Sequence, residues 1–130
     1  MADLNVSVVS AERALWSGEA KSIVAKTPEG EIGILAGHEP VLALLLGGPL
    51  RIEKTDGSKL LVAIHGGFFS VSDNSVQVLA EVAELGEDID LDRAKAALAR
   101  AQAETPEPDD AAIRRAETRI MVAGLASTIR

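Results

Sequence analysis

Residues 50–64, LRIEKTDGSKLLVAI, carry the clearest short-range structural signal in the chain. Two apolar-rich runs flank Asp56 and Gly57, a pair favoured in two-residue type I′ turns because both turn positions require positive φ. The stretch therefore predicts a β-hairpin whose tip is a type I′ turn at Asp56 and Gly57.

Alternation of apolar and polar residues extends from this hairpin through the first part of the chain. Leu4, Val6 and Val8 alternate with polar residues, and a similar pattern runs from Val76 to Val82. Breakers cut the chain into runs of roughly 8–12 residues, a spacing typical of a β-sandwich or barrel. The first 86 residues therefore predict an antiparallel β-sandwich of about ten short strands. The breakers lie at residues 28–30, 47–49, 66–67 and 73–74.

One run of the predicted sandwich does not alternate. The stretch from Val41 to Leu46 is continuously apolar, which is typical of a strand covered on both faces. Two interpretations stay open: a strand with one face covered by a partner protein, or a central strand of the core.

The period becomes helical after residue 86. Residues 105–110, TPEPDD, divide the helical pattern into two amphipathic segments, and Asp90 is placed to cap the first. Residues 87–130 therefore predict an antiparallel two-helix hairpin. Eleven of the residues from 89 to 127 are alanine, so we expect a weakly held, movable hairpin. The predicted apolar faces are Leu91, Ala94, Leu98 and Ala101, then Ile113, Ala116, Ile120 and Ala123.

Composition narrows the class of protein. The 130 residues include no cysteine, and no apolar run approaches the roughly 18 residues that cross a bilayer. We therefore expect a soluble cytoplasmic domain that reaches a membrane only through a complex. The formal net charge of -7 belongs entirely to the first 88 residues, and such an acidic body argues against nucleic acid as a partner.

Patterns for catalysis and metal binding are weak. His38 and His65 lie on different predicted strands and lack the spacing that places two imidazoles on one helix face. The sequence has neither a phosphate-binding glycine loop nor a nucleophile-elbow serine. We therefore expect no catalytic residue and no metal ligand. The simplest interpretation of residues 37–40, GHEP, is a turn.

Arginines of the predicted hairpin indicate a different kind of site. Arg93 and Arg100 are seven residues apart on one helix face, and folding the second helix back brings Arg115 and Arg119 towards them. Such a cluster suits a triphosphate because guanidinium groups make paired contacts to phosphate oxygens. The equally simple alternative is that these arginines form ion pairs on the helix surfaces with Glu104, Glu107 and Glu117.

Four stretches carry a family resemblance that spans the chain in order. They are residues 8–12 VVSAE, 31–40 EIGILAGHEP, 66–71 GGFFSV and 78–81 VLAE. Together they resemble the epsilon subunits of bacterial rotary (F-type) ATP synthases, which are homologous to the mitochondrial delta subunit. Ala36 departs from the pattern, because the family often has proline there.

The resemblance implies a non-catalytic central-stalk subunit. In this family the sandwich binds the rotating gamma subunit and rests on the c-subunit ring, which couples ring rotation to ATP synthesis. The helical hairpin inhibits ATP hydrolysis when it extends along gamma into the catalytic alpha/beta head. The subunit is peripheral to the cytoplasmic face of the bacterial cell membrane and binds no nucleic acid.

The resemblance also assigns docking residues. Glu31, Gly37 and His38 are implied to belong to one loop that faces the c-ring. Arg114, Arg115 and Arg119 are implied to contact the catalytic head in the extended state. A subunit that transmits torque needs a broad interface, so we expect one face of the sandwich to carry an apolar patch beyond the needs of its core.

A nucleotide site is a further implication of the resemblance. Residues 89–94, IDLDRA, match the family motif I/L-D-x-x-R-A, which in some members binds ATP and holds the hairpin down. No cofactor is required, and ATP is implied only as a regulatory ligand. The implied site residues are Glu84, Asp90, Arg93, Arg100, Arg115 and Arg119.

Three functions stay open from the sequence. The first is the non-catalytic coupling and inhibitory subunit, and the second is an ATP-binding regulatory switch. The third is a small independent β-sandwich enzyme or ligand-binding protein that uses His38, Glu39 and His65.

Overall fold

Nine strands and two helices form the part of the chain that the structure describes. The computed structural model covers residues 3–128, with side chains as far as Leu125, so the ends of the two predicted domains, residues 1–2 and 129–130, lie outside it. The strands are β1 (Leu4–Ser10), β2 (Ala14–Thr27), β3 (Gly30–Leu35), β4 (Val41–Leu45), β5 (Gly48–Lys54), β6 (Lys59–Ile64), β7 (Gly67–Ser72), β8 (Ser75–Ala80) and β9 (Ala83–Leu85). A 3₁₀ turn, Gly86–Asp88, leads to helices α1 (Leu91–Gln102) and α2 (Asp110–Thr128).

The strands form one curled sheet that closes into a sandwich, which confirms the predicted fold class. The strand order is β4-β7-β8-β1-β2-β5-β6-β9, with β3 paired to β2. Two details differ from the prediction: β1 and β8 are parallel, and β2 is 14 residues long rather than short. The first half of β2 pairs with β1, whereas its second half pairs with β3 and β5. This strand therefore belongs to both layers of the sandwich.

The core between the layers is built from the alternating positions that the sequence predicts. Leu4 and Val8 of β1 are fully buried, and Val76 and Val78 of β8 lie beside them in the same cluster. The alternation ends earlier than predicted, because β8 stops at Ala80 and Val82 lies in a bend with 47% of its surface exposed. The largest fully buried side chains are Phe69, Leu4, Ile23, Ile34, Leu50, Ile52 and Ile64.

The hairpin over residues 50–64 is present, but its tip is not the predicted type I′ turn. The Lys54 amide donates to the Ser58 carbonyl at 2.8 Å, so three residues form the loop, and only Gly57 among them has positive φ (89°). The Asp56 carboxylate accepts hydrogen bonds from the Ser58 amide (2.9 Å) and hydroxyl (2.6 Å). These bonds lower the pKa of the Asp56 carboxyl and favour the longer loop.

A two-residue turn of the expected kind lies instead between β7 and β8. Asp73 and Asn74 have φ values of 50° and 62°, between the paired residues Ser72 and Ser75. Positive φ at both positions is the requirement of a type I′ turn, and Asn and Asp tolerate it better than other non-glycine residues.

Of the two interpretations of the stretch from Val41 to Leu46, the central core strand is wrong, whereas a face covered by a partner protein stays a prediction. β4 pairs only with β7, and its outward side chains Leu42 and Leu44 are 72% and 62% exposed. The strand that is buried on both faces is β6. Its side chains alternate between the sandwich core and a second cluster under α2, because the hairpin covers its outer face.

The hairpin is folded against the sandwich, and Asp90 caps α1 as predicted. The Asp90 carboxylate accepts from the Arg93 amide at 3.0 Å. The apolar contact with the sandwich is small: Val122 packs with Leu61 and Ala63 of β6, with Ile89 at the edge. This docking cluster is separate from the main core. Neither α1 nor the described part of α2 is long and apolar enough to cross a bilayer.

The predicted faces of the hairpin are partly right. Ala94, Ala101 and Ala116 are buried, as their spacing indicates. In α2, however, Val122 (0% exposed) and Thr118 (7%) are buried although they lie off the predicted stripe. The second helix packs on both α1 and β6, so it needs two contact faces, and a single amphipathic stripe describes only one of them.

Candidate functional sites

A cavity of about 410 Å³ lies where the sandwich meets the hairpin. It brings together five of the six residues that the family resemblance implies for an ATP site, while Arg115 is not part of its wall. Its volume falls in the usual range for small-molecule sites. The lining residues are Glu84, Asp88, Ile89, Asp90, Arg93, Ala94, Ala97, Arg100 and Arg119.

The helix geometry explains why two arginines share this wall. Arg93 and Arg100 are seven residues apart on α1, a separation of nearly two turns that returns to the same face. Both residues are exposed, and neither forms an ion pair with any residue that the structure describes. Ala94 and Ala97 lie between them and leave room in the cavity.

A chain of three polar side chains links the sandwich to α2 behind this cavity. The Arg119 Nε atom donates to Glu84 Oε1 at 2.5 Å, and the His65 Nε2 atom lies 3.1 Å from the same oxygen. Glu84 is in β9, His65 follows β6 directly, and Arg119 is in the middle of α2. Within the described residues, Arg119–Glu84 is the only ion pair between the hairpin helices and the β-sandwich.

His65 is the most buried of these three groups. Its side chain is 2% exposed, and its Nδ1 atom makes no hydrogen bond to any residue in the described range. A carboxylate only accepts hydrogen bonds, so Nε2 carries the proton that is donated to Glu84. Burial lowers the pKa of His65, and the charges of Arg119 and Arg115 lower it further, while Glu84 acts in the opposite direction.

The predicted four-arginine cluster forms only in part. Arg93, Arg100 and Arg119 line the cavity, whereas Arg115 is exposed and acts electrostatically on His65 instead. The alternative of pairing with Glu104, Glu107 and Glu117 is wrong for Arg119, which pairs with Glu84. None of the ion pairs found in residues 3–125 involves those three glutamates.

The charges around the cavity nearly cancel. Three arginines face Glu84, Asp88 and Asp90. Glu84 is engaged by Arg119, and Asp90 is engaged as the helix cap, so Arg93 and Arg100 carry the charge available to an anion. The arrangement suits an anionic ligand that bridges these two guanidinium groups.

The residues implied for c-ring docking do not form one loop. Glu31 lies near the start of β3, whereas Gly37 and His38 follow its end. Extended chain rises about 3.3 Å per residue, so the strand from Glu31 to Leu35 alone separates the two ends by roughly 13 Å. Glu31 pairs with Arg51 at 3.3 Å, and both side chains are exposed. The sequence treated these residues as one corner because it did not show how far β3 carries the chain between them.

The Gly37 end of β3 is held by a residue that the sequence did not single out. The Gly37 amide donates to the Asn74 side-chain oxygen at 2.6 Å, and the Asn74 carbonyl accepts from the Asn5 amide at 2.8 Å. The His38 amide donates to the Leu35 carbonyl at 3.1 Å, which closes the turn that residues 37–40 predict. The link between Gly37 and Asn74 spans 37 residues, so no local pattern indicates it.

One face of the sandwich carries the apolar patch that the mechanical argument predicts. Leu44 of β4, Phe68 of β7 and Leu79 of β8 are direct cross-strand neighbours, and they are 62%, 43% and 39% exposed. Leu42 and Leu46 extend this surface along β4. We call these five residues the apolar patch. A contiguous exposed apolar surface of this kind is typical of a protein-binding face.

The structure separates the residues of the proposed independent enzyme. His38 and Glu39 precede β4 at its Val41 end, whereas His65 lies near Gly67, which pairs with the opposite end of β4. The His38 Nδ1 atom contacts the Glu39 carbonyl at 2.7 Å, a local contact. No group of three side chains suited to hold a metal ion occurs within residues 3–125. These histidines therefore do not converge on one site.

These features define a class: a small β-sandwich with an exposed apolar face and a folded-down helical hairpin. Residues 3–86 match the family model described as ATP synthase, Delta/Epsilon chain, beta-sandwich domain. The ATP synthase epsilon chain of Streptomyces avermitilis is 47% identical over 119 residues, covering 92% of this chain and 94% of that protein. That of Rhodococcus opacus is 52% identical over 100 residues, covering 76% of this chain and 82% of that protein.

Solved structures agree with this family. A chain in the Euglena gracilis mitochondrial ATP synthase (OSCP/F1/c-ring) is 29% identical with a TM-score of 0.74, covering 100% of this chain and 83% of that one. A chain of the Tetrahymena thermophila central stalk and c-ring has the same fold, at 17% identity and a TM-score of 0.59 over 97% of both chains. The chain thus belongs to the ATP synthase delta/epsilon family, as a non-catalytic subunit of the central stalk.

Proposed function

We propose that this chain couples rotation of the c-ring to ATP synthesis by binding the gamma subunit through its apolar patch. The observation that carries this proposal is the row of Leu44, Phe68 and Leu79 across three strands, exposed on a surface that the sandwich core does not need. Burial of such side chains supplies the non-directional part of a stable interface, at about 25 cal/mol per Å² of apolar surface. A stalk subunit requires a contact of this breadth to turn with its shaft.

Co-purification with gamma tests the proposal directly. Leu44→Asp combined with Phe68→Asp places two charges in the patch, and we expect gamma capture to be lost. Thr55→Asp is the matched control, because Thr55 is exposed at the tip of the β5–β6 hairpin, away from the patch, and gamma capture should persist. Full gamma capture by the patch variant would contradict this role.

The c-ring contact is proposed along β3. Glu31 marks one end of this strand, and Gly37 with His38 marks the other, and β3 pairs with β2 alone among the described strands. A ring that contacts both ends lies along the free edge of β3. The chain has no cysteine, so Glu31→Cys and His38→Cys each provide a single cross-linking site on this subunit of the assembled complex. We expect both to cross-link to the polar loop of c, and Lys59→Cys, on β6, to fail.

The hairpin is proposed as the regulatory part. Its folded position rests on a small apolar cluster and one ion pair, which suits an element that leaves the sandwich. Arg114 and Arg115 are exposed in this position, whereas Arg119 is engaged by Glu84. Arg119 therefore becomes available to the acidic surface of the alpha/beta head, together with Arg114 and Arg115, only when the hairpin extends. A chain truncated before Ile113 lacks most of α2. This truncation should relieve inhibition of ATP hydrolysis while ATP synthesis persists.

The proposed stalk role implies a location for the subunit in the cell. The subunit is proposed to be peripheral to the cytoplasmic face of the bacterial cell membrane, attached through gamma and the c-ring. Membrane fractions should retain the chain while the complex is intact and release it with the catalytic head when the complex is dissociated. Recovery of the chain in the soluble fraction of lysed cells, in an amount equal to that of the catalytic subunits and under conditions that keep the complex intact, would contradict this location.

A second candidate function is ATP sensing at the cavity between sandwich and hairpin. Arg93 and Arg100 share one wall without ion-pair partners in the described residues, and Asp90 already has its role as the helix cap. A triphosphate that bridges both arginines would fill the cavity between hairpin and sandwich, and because both elements form its walls, binding there would favour the docked hairpin. The near balance of charge in the cavity favours modest affinity.

Calorimetry of the whole chain with ATP tests this second function. We expect a binding heat that is lost in Arg93→Ala and reduced in Arg100→Ala. Arg114→Ala is the matched control, because Arg114 is exposed on the same hairpin and does not line the cavity. Equal heats in all four proteins, or no heat in the unmodified chain at millimolar ATP, would remove the cavity as a nucleotide site.

A further inference from the structure

His65 occupies a position in the interface that neither the core nor the proposed interfaces explain. It follows β6 directly, and its imidazole reaches out of the sandwich to Glu84 rather than into the apolar cluster of the core. Glu84 in turn holds Arg119 of the hairpin. The side chain is nearly fully buried at 2% exposure, and a titratable group in such a position is costly to charge.

The charges that face His65 come from two elements. β9 contributes the Glu84 carboxylate, and α2 contributes Arg119 and Arg115. With a neutral imidazole, the Glu84 carboxylate pairs with Arg119 of α2. A protonated imidazole adds a positive charge beside Arg119 and within the electrostatic reach of Arg115, and both of these arginines are carried by the element that is held least firmly.

The unpaired nitrogen of His65 adds to this cost. Nδ1 makes no hydrogen bond within the described residues, and in the neutral ring it is an acceptor. Protonation would turn Nδ1 into a buried N–H donor without an acceptor. Orphaned buried N–H groups are rarer in proteins than under-satisfied acceptors, so docking of α2 should oppose protonation.

We propose that His65 is a positioning residue whose neutral form holds Glu84 against Arg119, and whose protonation releases the hairpin from the sandwich. Proton uptake is thereby coupled to the release of Arg119 from Glu84 and to the opening of the cavity that Arg119 lines. The proposal concerns docking within the isolated chain, so its test is independent of gamma binding and of ATP binding.

The sign of the effect follows from linkage. Burial lowers the pKa of His65, and the charges of Arg119 and Arg115 that docked α2 brings lower it further, so the undocked state binds more protons in the intervening pH range. Docking is therefore at full strength above the pKa of His65 in the undocked chain. It weakens as the pH falls from there towards the lower pKa of the docked state.

The test measures docking in the full-length chain as a function of pH. Because the chain lacks cysteine, Thr55→Cys and Met121→Cys place one spin label on an exposed loop of the sandwich and one on the exposed side of α2. Between about pH 8 and about pH 5 we expect the short inter-label distance to lose population severalfold. Trp16, the single tryptophan and part of the sandwich, reports by fluorescence that the sandwich stays folded.

His65→Gln is the decisive variant, because an amide donates to Glu84 but does not titrate in this range. We expect its docked population to stay constant with pH. A parallel loss of docking in His65→Gln and the unmodified chain would overturn the proposal. So would a constant docked population in the unmodified chain, or a Trp16 change that coincides with release.

A second measurement covers the case in which His65→Gln does not fold. The imidazole of His65 is titrated by nuclear magnetic resonance in the unmodified chain and in Arg119→Gln. Removing the guanidinium should raise the pKa of His65, because one of the charges that oppose protonation is lost. An unchanged pKa would show that His65 and the hairpin are not coupled, and the proposal would fall.

Discussion

Asn74 fixes the position of Gly37 through a 2.6 Å hydrogen bond from the Gly37 amide to the Asn74 side-chain oxygen. The same asparagine has φ of 62° in the β7–β8 turn and accepts from the Asn5 amide through its carbonyl. One residue therefore joins the start of β1, the β7–β8 turn and the segment that follows β3.

Two substitutions of Asn74 separate its turn conformation from its side-chain bond. Asn74→Gly keeps the positive φ but removes the acceptor, and we expect a loss of about 0.5–1.5 kcal/mol in unfolding free energy and faster exchange of the Gly37 amide. Asn74→Asp keeps an acceptor oxygen and should retain the protection of Gly37. Equal amide exchange in the two variants would contradict the positioning role.

Glu84 and Arg119 should be energetically coupled in hairpin docking. Their pair is short at 2.5 Å and only 31% and 27% exposed, so a double-mutant cycle of Glu84→Ala and Arg119→Ala should give about 1–2 kcal/mol. The control cycle uses Glu31 and Arg51, which pair at 3.3 Å with 63% and 47% exposure. That exposed pair should give less than about 1 kcal/mol. Equal coupling energies would argue against a hairpin latch at Glu84.

Gly67 should tolerate no side chain. A Cβ at this position would lie 2.3 Å from the Leu79 carbonyl oxygen, and its φ is +146°. Gly67→Ala should therefore cost about 3 kcal/mol or more, measured by urea unfolding. Gly33→Ala is the matched control, because nothing lies within 4 Å of the added atom and φ is not positive. We expect that control to change stability by less than about 0.5 kcal/mol.

Val122 and Val76 should affect different transitions, because they belong to separate apolar clusters. Val122→Ala should weaken hairpin docking by about 1–3 kcal/mol and leave the unfolding midpoint reported by Trp16 nearly unchanged. Val76→Ala removes part of the main core and should lower that midpoint. If Val122→Ala shifts the Trp16 transition as far as Val76→Ala does, the hairpin and the sandwich unfold as one unit.

Sequence patterns predicted the parts of this fold that depend on local chemistry. The alternation around Val8 and Val78, the Asp90 cap and the seven-residue spacing of Arg93 and Arg100 each reflect the geometry of one element, and each is present. The apolar patch was expected from the mechanical role, and the stretch from Val41 to Leu46 was a candidate for it, but the contribution of Phe68 and Leu79 was not expected. Leu44, Phe68 and Leu79 become neighbours only through strand pairing.

The errors have a common cause, which is that burial depends on what covers an element. One interpretation made the apolar stretch that begins at Val41 a central core strand, yet its strand lies at the end of the sheet path. Leu61 and Ala63 of β6 are covered instead, because α2 folds onto them. For the same reason no sequence period indicated Val122 or the buried state of His65. The type I′ turn predicted at Asp56 and Gly57 is wrong for a local reason, because the Ser58 amide donates a hydrogen bond to the Asp56 carboxylate.

The length of β2 has a mechanical consequence for the coupling role proposed above, in which the sandwich turns with the gamma subunit. Two separate sheets held together by side chains alone can slide over each other, because apolar packing is non-directional. Here a single unbroken strand, Ala14–Thr27, forms backbone hydrogen bonds in the first layer and then in the second. Sideways force on either layer is thus carried by covalent bonds into the other, and the two layers rotate as one rigid piece.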